Sequence, residues 1–187
     1  MSVNPQFSKL FQPGQIGRME LRNRIVMPAM LTALSSNDGY VTQRLKNFHE
    51  ARARGGVGLI IVETSYVHSS GHNSPIQLSI SDDKFIPGLS ELAQVIQRHG
   101  AKAAIQLSHG GRRAPSKFTG VQPIAPSPIP CPGYEMPKEV TVEEIAGVVE
   151  YFAEAARRAY FARLALKSVQ TRQRRKQRQQ PPQGDTA

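Results

Sequence analysis

The sequence has very little cysteine, no tryptophan and no long apolar run. The single cysteine, Cys131, cannot form an internal disulfide, so a cytoplasmic location is expected. No stretch of roughly 18 apolar residues occurs, so no membrane-spanning helix is expected. The N-terminal residues lack the apolar region of a secretory signal. Without a CxxC or a Cys/His cluster, no structural zinc or iron–sulfur site is expected either.

The net charge of +10 is unevenly distributed along the chain. Residues 157–187 contain nine Lys and Arg residues and one acidic residue, Asp185, whereas the rest of the chain is nearly neutral. The stretch 171–186 has no apolar side chain to bury, so 168–187 is predicted to be disordered. The basic character therefore belongs to the C-terminal segment and not to the globular part.

Three short apolar runs predict β-strands, at 24–27, 58–62 and 102–107. The first run is closed by Pro28, which cannot continue a central strand. The second is a continuous β-branched run, which is typical of a strand buried on both faces. Strands of this kind favour a parallel sheet covered by helices.

A helical pattern follows each of these strands. Thr42 is a candidate N-cap for the first helix, which Gly55 and Gly56 end, and Thr141 with Glu144 forms a capping box for the third. The predicted apolar stripes are Leu45, Phe48 and Ala51; Phe85, Leu89, Leu92 and Ile96; and Ile145, Val149, Phe152 and Ala156. Three β/α units are therefore predicted, with a long proline-rich connection at 108–140.

Functional residues of parallel β/α proteins collect at the carboxyl ends of the strands. The candidate segments are therefore 28–32, 63–66 and 106–113. The third is chemically the richest, because Gln106, His109, Arg112 and Arg113 flank a pair of glycines.

Several stretches carry a family resemblance. NRIVMPAM at 23–30, preceded by LFQP and IG, resembles the start of the old yellow enzyme family of FMN-dependent oxidoreductases. QLSHGGR at 106–112, IAPS at 124–127 and TVEEI at 141–145 are similar to later motifs of that family. The resemblance is closest to the 2,4-dienoyl-CoA reductase and NADH:flavin oxidoreductase branch, and it covers about residues 8–159.

The resemblance implies the N-terminal part, about three β/α units, of a TIM (β/α)8 barrel that carries FMN across its top. Residues 1–159 would form a partial FMN-binding domain, and 160–187 a basic tail outside the family, first helical and then disordered. Gln106 would read the pyrimidine edge of the flavin through its side-chain amide. The implied flavin contacts are Pro28, Ala29, Met30 and Leu31, largely through the backbone, together with Thr64 and Gln106.

The implied activity is transfer of hydride from NAD(P)H through FMN to an activated alkene such as an enone. Relatives carry a His/His or His/Asn pair on a fourth strand, but no such strand or pair follows Ala159. No catalytic residue is therefore assigned, and a truncated, inactive and aggregation-prone chain is expected.

Each of these assignments has a simpler alternative. Met30 could pack in the core, Gln106 could satisfy a buried backbone group, and His109 could order the loop after the third strand. A second functional hypothesis is that the chain is a non-catalytic fragment that binds nucleic acids or other polyanions through the basic tail. A third is a domain that completes its sheet with another chain.

Overall fold

The protein is represented by a computed structural model that describes residues 5–179, with side chains described from residue 6 to residue 162. The strands are β1 (Gly14–Ile16), β2 (Met19–Leu21), β3 (Val26–Met27), β4 (Leu59–Tyr66), β5 (Leu78–Ser79), β6 (Lys102–Ser108), β7 (Ile124–Ala125) and β8 (Lys138–Glu139). The helices are α1 (Ser8–Phe11), α2 (Gln43–Arg54), α3 (Ile86–Gln97), α4 (Ser116–Thr119) and α5 (Val142–Gln179).

The central sheet is parallel, and β4 is its middle strand. Strand β6 pairs with β4 over its whole length, and β3 pairs with the start of β4 on the opposite edge. Strand β5 pairs with the last residues of β4. The three predicted strands and their parallel order are confirmed, with helices α2 and α3 connecting them.

Strand β4 is longer than the apolar run predicted. Glu63 and Thr64, which were expected to follow the strand, lie within it. A β-bulge between Val62 and Thr64 lets the ladder with β6 continue as far as Tyr66. The prediction ended too early because polar residues replace the apolar run at Glu63, although pairing continues.

The core lies between one face of the sheet and the helices. Helix α2 begins at its predicted N-cap, where the Thr42 side chain accepts a hydrogen bond from the Leu45 N–H. Its buried residues are Leu45, His49 and Ala53, whereas Ala51 is exposed. The predicted stripe is therefore confirmed at Leu45, only half-buried at Phe48 and wrong at Ala51, because the buried face follows a spacing of four residues. All four predicted residues of the second stripe are buried.

Strand β6 is covered on one face only. Ala103, Ile105 and Leu107 pack against the core cluster, whereas Ala104 and Gln106 are exposed. The expectation that the second predicted strand is buried on both faces holds for β4, whereas β6 is exposed at alternate residues. Helices α3 and α5 cover one face, and no described residue covers the other at these positions.

Helix α5 begins with the predicted capping box, in which Thr141 and Glu144 exchange two hydrogen bonds. Its predicted stripe is confirmed only at Phe152, which packs against the core, and is wrong at Ile145 and Val149, which are 49% and 62% exposed, and at the exposed Ala156. The buried residues are instead Ala155, Arg158 and Ala162. Helix α5 packs on α3 and β6 through the neighbouring face, so the stripe is shifted by about one position.

The C-terminal segment and the long connection also carry regular structure. Residues 168–179, predicted to be disordered, continue helix α5 to Gln179, because Arg, Gln and Lys are favourable helix residues. The rest of the predicted tail, 180–187, lies outside the described residues. The connection at 108–140 contains α4 and the parallel pair β7–β8. No helix within residues 5–179 has the length and apolar character to cross a bilayer.

Candidate functional site

Thr64 and Gln106 are register partners on the neighbouring strands β4 and β6. Paired residues on adjacent strands point to the same face of a sheet, so the two side chains lie side by side. Gln106 is exposed, and its side-chain amide makes no hydrogen bond within the part of the chain that the structure describes. The pair therefore presents a hydroxyl and a free amide at the uncovered face near the carboxyl end of the sheet.

The hydroxyl of Thr64 is held by a small polar network. It donates to the Ser108 hydroxyl at 2.6 Å, and that oxygen also accepts from the Gln77 amide at 3.2 Å. Gln77 is fully buried, and its amide oxygen accepts from the Asn73 N–H at 3.0 Å. The loop after β4 is thereby fixed to the end of β6. The sequence predictions missed Ser108 and Gln77, although Ser108 lies two residues after Gln106 in the same motif.

The segment Pro28–Leu31 leaves the sheet directly after β3. Met30 and Leu31 are about half exposed, and the main-chain N–H groups of Ala29, Met30 and Leu31 have no hydrogen-bond partner among the described residues. The Met30 side chain lies in a groove along the free edge of β3, which Phe11 and Met27 also line. The structure therefore pairs Thr64 with Gln106 directly, whereas Met30 follows β3, which pairs with the opposite edge of β4.

A buried carboxylate connects this segment to β4. Glu63 is 0% exposed, and its Oε2 atom accepts hydrogen bonds from the Thr32 N–H at 2.9 Å and from the Thr32 hydroxyl. Burial raises the pKa of Glu63, and the two Thr32 bonds oppose this change. Because Thr32 follows Leu31 and Glu63 precedes Thr64, these bonds bring segment 28–31 beside β4.

The histidine of the third-strand motif belongs to a second network. His109 Nδ1 accepts from the Gly111 N–H at 3.1 Å, so its Nε2 carries the proton and donates to the Ser70 hydroxyl at 3.0 Å. Ser70 in turn lies 2.8 Å from His68 Nδ1, which also accepts the Ser70 N–H. Burial lowers the pKa of both histidines.

This network is structural in character. The Cβ of any residue larger than glycine at position 71 would lie 2.6 Å from the His109 ring, so the imidazole packs directly on the loop after β4. Arg112 donates to the Ile129 carbonyl at 2.9 Å. These contacts support the interpretation that His109 orders the loop after β6, and they give Arg112 a similar role.

The residues present fit a flavin. A planar ring with heteroatoms along one edge needs donors and acceptors at that edge and apolar surface on its faces. The free Gln106 amide supplies one donor and one acceptor, and the unpaired N–H groups of 29–31 supply further donors. The exposed Met30 and Leu31 side chains supply apolar surface. The arrangement is that of the opening strands of a (β/α)8 barrel, whose functional residues collect at the carboxyl ends of the strands.

Known proteins share both the sequence and the fold. Residues 9–166 match the NADH:flavin oxidoreductase / NADH oxidase family. The chain is 47% identical to the NADH oxidase of Thermoanaerobacter brockii over 156 residues, covering 82% of this chain and 24% of that protein. It is 41% identical to an NADPH dehydrogenase of Geobacillus sp. (strain WCH70), covering 80% of this chain and 44% of that protein.

A solved structure gives the same relationship. The old yellow enzyme homologue from Zymomonas mobilis superimposes with a TM-score of 0.78 at 27% identity, covering 82% of this chain and 46% of that structure. The chain belongs to the NADH:flavin oxidoreductase / NADH oxidase family, and its fold is the N-terminal part of the old yellow enzyme TIM barrel. It spans from 24% to 46% of the length of these relatives.

Proposed function

We propose that this chain supplies one side of the FMN site of an oxidoreductase that transfers hydride from NAD(P)H to an activated alkene. Family membership supports a flavin oxidoreductase, and the relatives' names include both an NADH oxidase and an NADPH dehydrogenase. The single observation that carries the proposal is the register pairing of Thr64 with Gln106, whose amide is free and exposed. We expect the protein to act in the cytoplasm on a small-molecule substrate.

Gln106 is the residue that we propose for recognition of the flavin. Its amide can donate and accept at the same time, which matches the alternating groups of the pyrimidine edge. A donor at this position also favours negative charge on the ring, which raises the reduction potential. Thr64 lies beside it, and its hydroxyl proton is engaged by Ser108, so an oxygen lone pair remains for the cofactor.

The segment Pro28–Leu31 is proposed to contact the tricyclic ring. The unpaired N–H groups of Ala29, Met30 and Leu31 can bind ring heteroatoms. The side chain of Leu31 carries no polar group, so contact there is apolar and excludes water. When bound, the flavin supplies a group that accepts a hydride and passes it on. We assign no proton donor among residues 5–179.

Titration of the purified chain with FMN tests this proposal. Three barrel strands line one side of the site, so we expect weak but saturable binding, measured by quenching of flavin fluorescence. Gln106→Ala should weaken binding about tenfold, which corresponds to the loss of about one hydrogen bond to the ring. Gln43→Ala is the matched control, since Gln43 is an exposed glutamine on α2 whose side chain bonds only to Asn47 among the described residues.

Two results would overturn the proposal. One is the absence of saturable FMN binding by a chain that circular dichroism shows to be folded. The other is equal affinity of the Gln106→Ala variant and the wild type. With an enone and NAD(P)H added, we expect oxidation no faster than that caused by free FMN, because these strands line only one side of the site.

A further inference from the structure

Glu63 is a buried carboxylate for which the proposed function has no direct use. It occupies the bulge of β4, where one extra residue interrupts the ladder between Val62 and Thr64. Bulges redirect a side chain that regular pairing would leave on one face of the sheet. Here the redirected side chain meets Thr32, 31 residues earlier in the chain.

Both Glu63 bonds end on the same oxygen and on the same residue. Oε2 accepts the Thr32 N–H and the Thr32 hydroxyl, which fixes the backbone and the side-chain rotamer of Thr32 together. The other oxygen, Oε1, is buried without a partner among the described residues. Both hydrogen bonds therefore hold a single residue, Thr32, which directly follows segment 28–31.

That segment has few other attachments. The N–H groups of Ala29, Met30 and Leu31 make no hydrogen bond to described residues, and Met30 and Leu31 are half exposed. At its start it continues from β3, which pairs with β4 through only two residues, Val26 and Met27. At the C-terminal end of segment 28–31, the contact between Glu63 and Thr32 is therefore what attaches the segment to β4 among the described residues.

We propose that Glu63 is a positioning residue that holds segment Pro28–Leu31 against β4, so that its backbone N–H groups face the flavin. The role at the flavin rests on the proposed function. The attachment itself is a property of the chain without FMN. Glu63 is proposed to touch neither cofactor nor substrate and to act only through Thr32.

Variants of Glu63 and Thr32 can be chosen according to which of the two hydrogen bonds they keep. A protonated carboxyl or an amide still offers one oxygen to Thr32, because Oε1 has no partner to lose. Glu63→Gln should therefore preserve the attachment, whereas Glu63→Met, with similar length and no acceptor, should release it. Thr32→Val keeps the N–H bond and removes the hydroxyl bond, and Thr32→Ser keeps both. The Thr32 variants test the proposal even if Glu63→Met fails to fold.

The first readout uses the ¹⁵N-labelled chain without FMN. We expect the Thr32 amide to be protected from hydrogen exchange in the wild type and in Glu63→Gln. In Glu63→Met, protection should fall at least tenfold, and the amide resonances of 29–31 should shift. Unchanged exchange at Thr32 and unchanged resonances of 29–31 would overturn the inference.

The second readout is FMN affinity. Glu63→Gln should bind within threefold of wild type, Thr32→Val should bind severalfold more weakly, and Glu63→Met at least tenfold more weakly. Glu135→Met is the matched control, since Glu135 also accepts a backbone N–H, from Ser116 at 2.6 Å, in the connection before α5. Loss of stability in Glu63→Met without loss of FMN affinity would show a merely structural role. If the wild type does not bind FMN, the proposed function fails while the exchange data still decide the attachment.

Discussion

The Thr64 hydroxyl on β4 and the Ser108 hydroxyl on β6 are joined by a hydrogen bond of 2.6 Å. Ser108 also accepts from the buried Gln77 amide and donates to the Ser65 carbonyl. One small side chain thus connects two strands and the loop that follows β4. Such connections matter at the end of a sheet, where the ladder no longer constrains the chain.

We predict that Ser108→Ala lowers the free energy of unfolding by about 1–3 kcal/mol, because the buried Gln77 amide and the Thr64 hydroxyl both lose a partner. Urea denaturation followed by circular dichroism measures this change. Ser69→Ala, at an exposed serine of the same loop, should change the free energy by less than about 0.5 kcal/mol. Equal stability of the two variants would contradict the network.

A second prediction concerns His49, which is 1% exposed in α2 with no hydrogen-bond partner for either ring nitrogen among the described residues. Burial, and to a smaller extent the nearby Arg52, lowers the pKa of His49 from 6.5 to about 4. The folded state therefore binds fewer protons than the unfolded state between these values. The contribution of His49 to the free energy of unfolding should be fully present above pH 6.5. This contribution should fall by about 3 kcal/mol as the pH is lowered to 4.

Two variants separate the titration of His49 from its burial. Both His49→Gln and His49→Leu should abolish the part of the pH dependence between 6.5 and 4 that belongs to this residue. His49→Leu should also be the more stable of the two at pH 7, because it leaves no buried polar group without a partner. The measurement is the free energy of unfolding as a function of pH. A wild-type slope retained in His49→Gln would show that other groups cause it.

The sequence predicted the strands and their parallel order because each strand is a local apolar run. It could not predict the bulge at Glu63 or the Thr64–Ser108 bond, since both depend on the register between β4 and β6. The sequence placed Glu63 and Thr32 only in two separate candidate segments, 63–66 and 28–32, because their contact joins two different strand–loop units.

The apolar stripe predicted for α5 shows that residue spacing alone does not always identify the buried face of a helix. This helix carries apolar residues on more than one face, including the exposed Ile145 and Val149 and the partly buried Phe152. The spacing alone therefore fits several faces, and only packing against α3 and β6 selects one. Similarly, a low content of apolar residues at 168–179 did not distinguish a disordered chain from a helix.

The third prediction uses that exposed face of α5. Replacing both Ile145 and Val149 by Gln should leave the free energy of unfolding within about 0.5 kcal/mol of wild type, since neither side chain is buried. The same double change should raise the soluble concentration of the chain, because it removes exposed apolar surface. Leu92→Ala, at a core residue that is 1% exposed, should instead cost about 2–5 kcal/mol.

Static light scattering and urea denaturation on the same samples test this prediction. If the double variant lost as much stability as Leu92→Ala, the face would be buried in solution, as in a self-associated chain. In that case, the expected aggregation of the chain would have to involve a different surface, such as the free edge of β3.

The last prediction concerns the basic C-terminal segment and its alternative role in polyanion binding. Residues 168–187 contain five Lys and Arg residues, all of them before position 180. If these residues bind phosphates, deleting 168–187 should lower retention on heparin and reduce its salt dependence, because fewer counterions are released. FMN affinity should not change, because Ala162, the last buried residue described, is retained.

Deletion of 180–187 is the matched control, since it removes eight residues but no Lys or Arg. This shorter deletion should leave retention on heparin as in the wild type. The dependence of the logarithm of the binding constant on the logarithm of salt concentration is then measured for all three chains with double-stranded DNA. Equal slopes for the wild type and the chain ending at 167 would contradict the hypothesis that the basic segment binds polyanions. Electrostatic binding must weaken when the neutralising cations are deleted.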